Sequence, residues 1–514
     1  MMAPNTPVPA SLTGAGFPVS DLLAVLNAEA PRLLGDGRVR LFGVRQDSRR
    51  VEAGDLFVAR SGGKVSGASF AQAAVERGAV ALIVERGAPL PELGVPMIEV
   101  ADARRSLALC AEAVYGNPSR DLAVIGITGT NGKTTTAWLV ERALAGVGAK
   151  PARLGTVGFA FGGQSVDSAL TTPEADDISR YAARVRAARG THFVMEVSSI
   201  ALTLDRVRAL HFRVAAFTNL TQDHLDFHAS MAEYAETKAQ LFTALTPEHS
   251  VLNVDDAFGA ELAQRAQGRV LRVSRHAGAD VHPVAVTVDA KGIRGTVRAP
   301  SGQISLESRL VGQHNLENLL LALGVLEALG VDLQAAAHAL GSAPQVPGRL
   351  ERCDEPGDDV LVLVDYAHTP DALERVLDAV RSMTTRRVLC VFGCGGDRDP
   401  QKRPKMGEAV GLRADYAIVT NDNPRSEEPR AIAAAIEVGL GRTRGAYEVE
   451  LDRAKAIERA VLMAGPDDVV LIAGKGHEPY QIIGSEKHDF DDRVEARRAL
   501  ALRRPRGVGA TWPA

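Results

Sequence analysis

A glycine-rich segment at residues 126–136 constrains the fold of this chain more than any other feature. It reads Gly-Ile-Thr-Gly-Thr-Asn-Gly-Lys-Thr-Thr-Thr, follows an apolar run at residues 122–127 and leads into a helix-like stretch at residues 134–144. A strand, a glycine turn, a Lys-Thr pair and a helix form a loop that cradles phosphate groups, because backbone N–H groups and the positive helix end face one anion. The pattern predicts an α/β sheet with a phosphate site at the end of this strand.

Single residues of this loop have distinct expected roles. Gly129 and Gly132 let the backbone bend, and Lys133 can reach the β- and γ-phosphates of a nucleotide. The Thr134 hydroxyl can bind Mg²⁺. The strict pattern would place glycine at position 127, where this chain has Ile127. A chance glycine turn before a helix is the alternative, but strand and helix flank the turn as phosphate binding requires.

Length and composition limit the class of protein. The 514 residues suggest about three domains. The net charge of −4 gives no sign of a nucleic-acid-binding surface, and the apolar runs are shorter than the ~18 residues of a membrane span. Residues 1–13 lack the pattern of a secretory signal, so we expect a cytoplasmic protein. Its four cysteines are too few for a disulfide framework, and we expect Cys390 and Cys394 to be buried thiols.

Strand-like runs that end in polar clusters organise the chain into three predicted domains, at residues 1–118, 119–346 and 347–514. Because ligands of open α/β sheets bind outside the carboxyl ends of strands, successive polar clusters indicate a shared site. Residues 285–311 lack long helical stretches and predict a small β insertion. The predicted strands are at residues 55–59, 80–84, 95–100, 124–127, 192–197, 214–217, 250–254, 360–364, 388–392, 416–419 and 469–472.

Six motifs in a set order resemble the Mur ligases over about residues 45–493. They are at residues 128–134, 195–199, 223–228, 348–349, 365–370 and 422–425. The phosphate loop alone is common to a superfamily, whereas the Gly-Cys-Gly-Gly-Asp-Arg, Asp-Asn-Pro-Arg and Gly-Lys-Gly-His-Glu segments are more specific. The resemblance implies an α/β fold of three domains: an N-terminal UDP-substrate domain, a central P-loop ATPase-type parallel sheet and a Rossmann-like C-terminal domain. The chain departs from the usual family residues at Ile200, Leu204 and His314.

The resemblance also implies a reaction, an ATP-driven amide ligation in peptidoglycan synthesis that depends on Mg²⁺. A carboxylate of UDP-MurNAc-L-Ala-D-Glu would attack the γ-phosphate of ATP, and the acyl phosphate would then react with an incoming amine. Phosphoryl transfer of this kind needs positioning and charge cancellation rather than a covalent enzyme group. We expect a monomer that binds these small molecules and no nucleic acid.

Family positions imply the roles of further residues. Thr134 and Glu196 would bind Mg²⁺, and His224 would bind a second Mg²⁺, although His224 could also be a hydrogen-bonding loop histidine. The implied ATP contacts are Thr128, Gly129, Thr130, Asn131, Gly132, Lys133, Thr134, Asn318, Arg349, Asp365 and His368. The implied contacts to the UDP-MurNAc-dipeptide are Ser48, Gly63, Lys64, Val65, Thr171, Thr172, Ser198 and Arg206. Because these positions are divided between predicted domains, the resemblance implies an active site that closes by domain motion.

Lys238 resembles a family position that carries a carbamate, formed by CO₂ on the neutral amine. A carbamylated lysine is an anion that can help to hold Mg²⁺, whereas an unmodified lysine would be repelled. Nearby metal charge and partial burial would favour the neutral amine that the modification needs. The alternative is an exposed helix lysine.

The identity of the incoming amino acid is predicted from the cations of the third domain. The family candidates are meso-diaminopimelate and L-lysine, which differ by one carboxylate, and a bidentate arginine suits that carboxylate best. Arg425 supplies this cation, unless it pairs with Glu427 or Glu428 at a helix start. We therefore predict meso-diaminopimelate, bound by Arg398, Asp422, Asn423, Pro424, Arg425, Gly474 and Glu478.

Two other functions remain open at this point. A folylpolyglutamate-type ligase shares the phosphate loop but would leave the N-terminal domain and the Asp-Asn-Pro-Arg segment without a role. A regulatory or transport ATPase could use Asp255 or Asp256 for Mg²⁺ but would not explain the polar strand ends of the third domain. ATP hydrolysis that depends on a muropeptide and an amino acid would separate the three.

Overall fold

The computed structural model describes residues 14–60, 66–89, 91–168, 170–223, 227–289, 291–343 and 345–504. These residues form two units. The first consists of the described residues up to Ala285 together with Thr296–Ser305 and Glu317–Leu340. The second consists of Val286–Gly295, Leu306–Leu316 and the described residues from Gly341 onwards. Within the described ranges, no helix is both long and apolar enough to cross a membrane.

An eight-stranded sheet forms the centre of the first unit. Its spatial order is Gln164–Val166, Gly158–Phe161, Pro151–Gly155, His192–Glu196, Ala123–Thr128, Val214–Phe217, His249–Asn253 and Arg269–Val273. The six strands from Pro151–Gly155 onwards pair in parallel. The strand that leads into the phosphate loop is therefore central, with the predicted strands at residues 192–197 and 214–217 as its two neighbours. Their polar carboxyl ends meet at one edge of the sheet, as the sequence predicted.

The N-terminal part of the same unit has a smaller sheet of five strands. Their order is Arg32–Leu34, Met97–Val100, Ala81–Glu85, Asp55–Ala59 and Gly43–Arg45, and only the first pair is antiparallel. A short antiparallel pair, Phe17–Pro18 with Arg40–Leu41, accompanies it. The three strands predicted for this region are confirmed, with small shifts of their ends.

A six-stranded sheet forms the centre of the second unit. Its order is Glu351–Arg352, Leu361–Asp365, Val469–Ala473, Val388–Phe392, Tyr416–Val419 and Ala446–Val449. All neighbours pair in parallel except the short first strand. Apolar clusters cover both faces, which explains the nearly continuous apolar runs of the sequence. Cys390 and Cys394 are buried free thiols, as expected.

Two further sheets are small. Residues 282–308 form three strands, His282–Asp289, Gly292–Ala299 and Gly302–Ser308, which confirms the predicted β insertion. Tyr480–Ile483 and Glu486–Asp489 form an antiparallel ribbon in the second unit.

The helices separate the strands and cover the sheets. Several start at a residue whose side chain accepts a hydrogen bond from the first turn, as at Asp256 and Thr369. The helices are Leu22–Val25, Ala71–Glu76, Ala103–Val114, Pro118–Asp121, Lys133–Gly146, Ala175–Ala187, Ser199–Thr203, Met231–Thr243, Ala257–Arg265, Gln313–Ala328, Leu333–Ser342, Pro370–Arg381, Lys402–Gly411, Pro429–Leu440, Arg453–Met463 and Asp492–Arg503.

Candidate functional site

The phosphate loop lies between the central strand of the first unit and the helix Lys133–Gly146. Ile127 is fully buried in the strand, so the turn begins beyond it, at Gly129. Gly129 has a φ of 140°, and a Cβ there would overlap the Thr218 hydroxyl. The departure from the strict pattern at position 127 therefore leaves the turn intact, because the glycine that the close approach requires is Gly129.

A second loop, at residues 218–221, stabilises the phosphate loop through hydrogen bonds. The Thr218 hydroxyl donates to the Asn131 carbonyl oxygen at 2.6 Å, and Asn131 N donates to Asn219 Oδ1 at 3.0 Å. Thr130 N donates to the Asn219 carbonyl oxygen at 2.8 Å. The sequence indicated a polar cluster here but no role for Thr218 or Asn219. The signal that could have indicated this role is the position of the cluster directly after the strand Val214–Phe217, next to the strand that leads into the phosphate loop.

Lys133 and Thr134 occupy the first turn of the helix, and their side chains have different partners. Lys133 Nζ donates to the carbonyl oxygens of Gly129 and Thr130, at 2.8 and 2.7 Å. Thr134 Oγ1 donates to Glu196 Oε2 at 3.0 Å. The Lys133 side chain thus folds back onto the phosphate loop. The Thr134 hydroxyl points to the carboxylate of Glu196 at the end of the adjacent strand.

The Glu196 carboxylate is nearly completely buried beside the loop. Besides Thr134, it accepts hydrogen bonds from Thr156 N to Oε1 at 2.8 Å and from Thr156 Oγ1 to Oε2 at 3.2 Å. In the described part of the chain, no group of three or more His, Cys, Asp or Glu side chains converges as a metal site. A hydroxyl and a carboxylate next to a phosphate cradle nevertheless fit Mg²⁺, which takes few protein ligands and completes its shell with phosphate and water.

Lys238 lies on the helix Met231–Thr243, and its ammonium group is buried against the phosphate loop. Its Nζ donates to the Gly129 carbonyl oxygen at 2.9 Å and lies 4.3 Å from the centre of the Tyr234 ring. Burial holds the pKa of Lys238 well below its usual value, and the Lys133 charge lowers it further. The alternative of an exposed helix lysine is therefore wrong. His224 lies outside the described residues.

The residues predicted for the muramoyl-dipeptide form a connected set next to Glu196. Thr172 Oγ1 donates to the Glu196 carbonyl oxygen at 2.9 Å and accepts from Ser198 N at 3.0 Å. Arg206 donates to the Thr172 carbonyl oxygen at 2.9 Å and pairs with Glu174 Oε1 at 2.6 Å. Thr171 Oγ1 lies 3.2 Å from Thr156 Oγ1. The structure thus brings these four residues together.

The other predicted substrate and nucleotide contacts are spread over the chain. Ser48 is half-buried in a short helical turn, Ser48–Arg50, and Gly63, Lys64 and Val65 lie outside the described residues. Asn318 is buried in the first unit, where its Oδ1 lies 3.4 Å from Thr136 Oγ1.

Arg349, Asp365 and His368 lie close together in the second unit. The Asp365 carboxylate accepts from Leu350 N and Ala367 N, both at 2.8 Å, and burial raises its pKa. The Arg349 guanidinium lies 4.7 Å from the centre of the Tyr366 ring. His368 Nδ1 lies 2.9 Å from the Tyr366 carbonyl oxygen.

Three strand ends of the second unit form what we call the amino-acid edge, residues 393–398, 422–425 and 474–478. Asn423 Nδ2 donates to Glu478 Oε2 at 3.1 Å. A Cβ on Gly474, which has a φ of +121°, would lie 2.5 Å from Asp422 Oδ2. The structure therefore gathers the residues that the sequence assigned to the incoming amino acid.

Arg398 and Arg425 are the arginines of this edge, which also contains Lys475. Arg425 has a left-handed backbone, with a φ of 52°, and its Nη1 donates to the Gly396 carbonyl oxygen at 2.7 Å. Glu427 pairs with Arg403 at 2.8 Å instead. Neither Arg398, which is exposed, nor Arg425 forms an ion pair with a described residue. The alternative of an Arg425 pair with Glu427 or Glu428 is wrong.

Comparison with known proteins agrees with this geometry. The chain matches three family models, the Mur ligase family catalytic domain at residues 41–115, the Mur ligase middle domain at 127–326 and the Mur ligase glutamate ligase domain at 348–476. A curated relative from Gloeobacter violaceus, named UDP-N-acetylmuramoyl-L-alanyl-D-glutamate–2,6-diaminopimelate ligase, is 46% identical over 477 residues, which cover 91% of this chain and 96% of the relative. A relative of the same name from Solibacter usitatus is 43% identical over 474 residues, 92% of this chain and 95% of the relative.

A solved structure of a protein with this name also matches. It is 33% identical with a TM-score of 0.69, and the match covers 95% of this chain and 99% of that one. The chain belongs to the Mur ligase family, as its motifs predicted. It is an ATP-dependent, ADP-forming ligase of the class that joins an acid to an amino acid.

Proposed function

We propose that this chain adds meso-diaminopimelate to UDP-MurNAc-L-Ala-D-Glu through an acyl phosphate, in cytoplasmic peptidoglycan precursor synthesis. The observation that carries the proposal is the amino-acid edge, where Arg398 and Arg425 form no ion pair with a described residue and another strand end carries Glu478. The two arginines can bind the two carboxylates of meso-diaminopimelate. Glu478 can bind the ammonium group at the end away from the reactive amine. The names of the relatives support the same substrates.

The first half of the reaction is assigned to the phosphate loop. The D-glutamyl carboxylate attacks the γ-phosphate, the bond from the γ-phosphorus to the bridging oxygen breaks, and ADP leaves. Lys133 moves its ammonium group from the loop carbonyls to the transferring phosphoryl group. The loop backbone, which Thr218 and Asn219 brace, need not reorganise when charge develops, which is how such sites stabilise a transition state. Thr134, Glu196 and carbamylated Lys238 would hold Mg²⁺, with His224 at a second ion, and the metal would neutralise charge on the phosphates.

The acid substrate is positioned by hydroxyl groups and an arginine. The proposed contacts of its muramoyl-dipeptide end are Thr171, Thr172, Ser198 and Arg206. Hydrogen bonds near Glu196 hold these side chains in place. Ser48, with Gly63, Lys64 and Val65, is proposed to bind the UDP end. Asn318, Arg349, Asp365 and His368 are proposed to contact ATP.

The second half of the reaction is assigned to the amino-acid edge. Arg425 binds the distal carboxylate of meso-diaminopimelate, Arg398 binds a second carboxylate, and Glu478 with the Gly474 carbonyl receives the distal ammonium. With L-lysine, Arg425 would face an ammonium group instead of a carboxylate, so lysine is rejected by repulsion and by the lost contact. Asp422, Asn423 and Pro424 shape this site. We further propose a monomer with three domains, at residues 1–118, 119–346 and 347–514.

The carboxylates that a regulatory ATPase would need are occupied by structural contacts. Asp256 accepts from Phe258 N, Gly259 N and Leu220 N, and Asp255 accepts from Arg275 N. This arrangement explains both residues as supports of the sheet edge, so they are not spare ligands for a metal.

Phosphate release with defined substrates tests the proposal. We expect turnover only when ATP, UDP-MurNAc-L-Ala-D-Glu and meso-diaminopimelate are all present, with a product heavier by one diaminopimelyl residue in mass spectrometry. Reduced folate with glutamate serves as the matched alternative pair. Turnover with folate and glutamate, or ATP hydrolysis that needs no amino acid, would contradict the proposed function.

A further inference from the structure

Lys475 is a fully buried lysine in the loop that follows the strand Val469–Ala473. Its Nζ donates to Asn423 Oδ1 at 3.0 Å and lies 3.5 Å from Glu478 Oε2. Burial lowers its pKa, while the nearby carboxylates of Asp422 and Glu478 act in the opposite direction. An ammonium group is costly to bury, so we expect a functional reason for a buried lysine in the amino-acid edge.

The first consequence of Lys475 is the orientation of Asn423. Asn423 Oδ1 accepts from Lys475 Nζ and also from Ile482 N at 2.9 Å. Both partners are donors, so the amide oxygen must face them and the amide cannot flip. Its Nδ2 is therefore directed to Glu478 Oε2, to which it donates at 3.1 Å.

The second consequence is the orientation of Glu478. Its Oε2 receives the Asn423 amide and lies near the Lys475 ammonium, whereas its Oε1 has no hydrogen bond with the part of the chain that the structure describes. The side chain is 20% exposed. One carboxylate oxygen is thus held by the protein, and the other is left for a ligand.

A buried ion pair between Arg453 and Asp492 stabilises the strand ends that carry Asn423 and Lys475. Arg453 forms two hydrogen bonds of 2.7 Å with the Asp492 carboxylate. Its guanidinium also donates to the carbonyl oxygens of Ala473 and Asn421, at 3.0 and 3.2 Å, which tie together the two strand ends. Because Asp492 already neutralises Arg453, Lys475 is the described cation within ion-pair distance of Glu478, and it also faces the Asp422 carboxylate.

We propose that Lys475 is a positioning residue that acts through Asn423 and Glu478 to direct the second Glu478 oxygen at the ammonium group of the incoming amino acid. The inference rests on the proposed function, because it assigns Glu478 to the distal ammonium. It predicts that Lys475 contributes to amino-acid binding rather than to phosphoryl transfer.

The test compares Lys475→Met and Lys475→Gln with Lys455→Met, a change at an exposed lysine of the same unit. KM for meso-diaminopimelate and for ATP, and kcat, are measured by phosphate release, and folding is checked by thermal unfolding. We expect at least a tenfold rise in KM for meso-diaminopimelate in Lys475→Met and less than a twofold change in KM for ATP. Lys475→Gln, which can still donate to Asn423, should recover part of the loss.

A double variant separates positioning from a general loss of structure. If Lys475 acts through Glu478, then Lys475→Met added to Glu478→Gln should raise KM for meso-diaminopimelate by no more than twofold beyond Glu478→Gln alone. An additive effect, an equal change in both KM values, or failure of both Lys475 variants to fold would overturn the inference.

The unmutated enzyme keeps this result distinct from that of the proposed function. If it uses another amino acid with a distal ammonium, the proposed function fails, and the Lys475 variants are measured with that amino acid by the same criteria. If it uses meso-diaminopimelate but Lys475→Met leaves that KM unchanged, only the inference fails.

Discussion

The phosphate loop and the amino-acid edge occupy equivalent places in their two sheets, at the carboxyl ends of parallel strands, yet they are built from different groups. The phosphate loop is suited to bind its ligand through backbone N–H groups, and the Thr218 and Asn219 side chains of the neighbouring loop brace it. The amino-acid edge carries charged side chains, those of Arg398, Arg425 and Glu478.

This difference shows where specificity is expected to reside. Backbone amides recognise a phosphate without reading the molecule attached to it, so such a loop suits any ATP-dependent enzyme. Charged side chains distinguish ligands that differ by one carboxylate, because the wrong ligand leaves a buried or half-buried charge unpaired. Changes in the loop should therefore affect ATP and turnover, and changes in the edge should affect the choice of amino acid.

The largest effect is expected for Lys133→Ala. Loss of its ammonium group removes the charge that follows the transferring phosphoryl group, and a single such contact is worth about 10³-fold in kcat. Phosphate release under saturating substrates measures the effect, with Lys150→Ala at an exposed position of the same unit as the control. Near-normal turnover of a folded Lys133→Ala protein would contradict the phosphate-loop assignment.

Lys238→Ala tests whether the loop region also depends on a modified side chain. We expect a loss of about 100-fold, as for other groups that organise a metal site, and partial recovery with added short carboxylates that replace the carbamate. Gln240→Ala, on the exposed side of the same helix, should behave like the unmutated enzyme. The intact protein mass should include one CO₂ on Lys238 under mild conditions, and an unmodified lysine in active enzyme would count against the role.

Arg425→Ala tests the other side of the comparison. Removing a cation that pairs with a substrate carboxylate costs roughly 2 kcal/mol or more, so KM for meso-diaminopimelate should rise about 30-fold. KM for ATP should change by less than about twofold, because the change does not touch the phosphate loop. Arg430→Ala, an exposed arginine paired with Glu437, is the matched control. Equal increases in the two KM values would erase the proposed division of roles.

Thr218→Val should give the smallest effect and the opposite pattern. The substitution keeps the shape of the side chain but removes the hydrogen bond to the Asn131 carbonyl oxygen, at a cost of about 1 kcal/mol. KM for ATP should rise about fivefold while KM for meso-diaminopimelate stays unchanged. Thr243→Val, which removes only a bond to a carbonyl oxygen within its own helix, is the control. A rise in the amino-acid KM alone would show that the loop brace has another function.

The features that the sequence could predict are those with a local signal. Apolar runs such as residues 388–392 and 469–472 are strands buried on both faces, and the polar residues after them lie at one sheet edge because parallel strands share their direction. The phosphate loop was predictable for the same reason, since its turn, lysine and helix are consecutive.

The features that the sequence did not predict depend on distant partners. Thr218 and Asn131 are separated by 87 residues, and Lys475 and Asn423 by 52, so neither contact has a local pattern. The order of the strands decides which polar clusters become neighbours, and that order is set by packing of the whole sheet. The burial of Lys238 was expected from the family resemblance alone, because an amphipathic helix pattern does not show which face meets the phosphate loop.

The specificity ratio between meso-diaminopimelate and L-lysine tests the central claim most directly. It is the ratio of the two kcat/KM values, measured with saturating ATP and UDP-MurNAc-L-Ala-D-Glu for the unmutated enzyme and for Arg425→Ala. We predict that the unmutated enzyme prefers meso-diaminopimelate by at least about 100-fold and that Arg425→Ala loses most of this preference, since a buried polar site discriminates through the contact that the wrong ligand lacks. A preference for L-lysine, or a ratio that Arg425→Ala leaves unchanged, would contradict it.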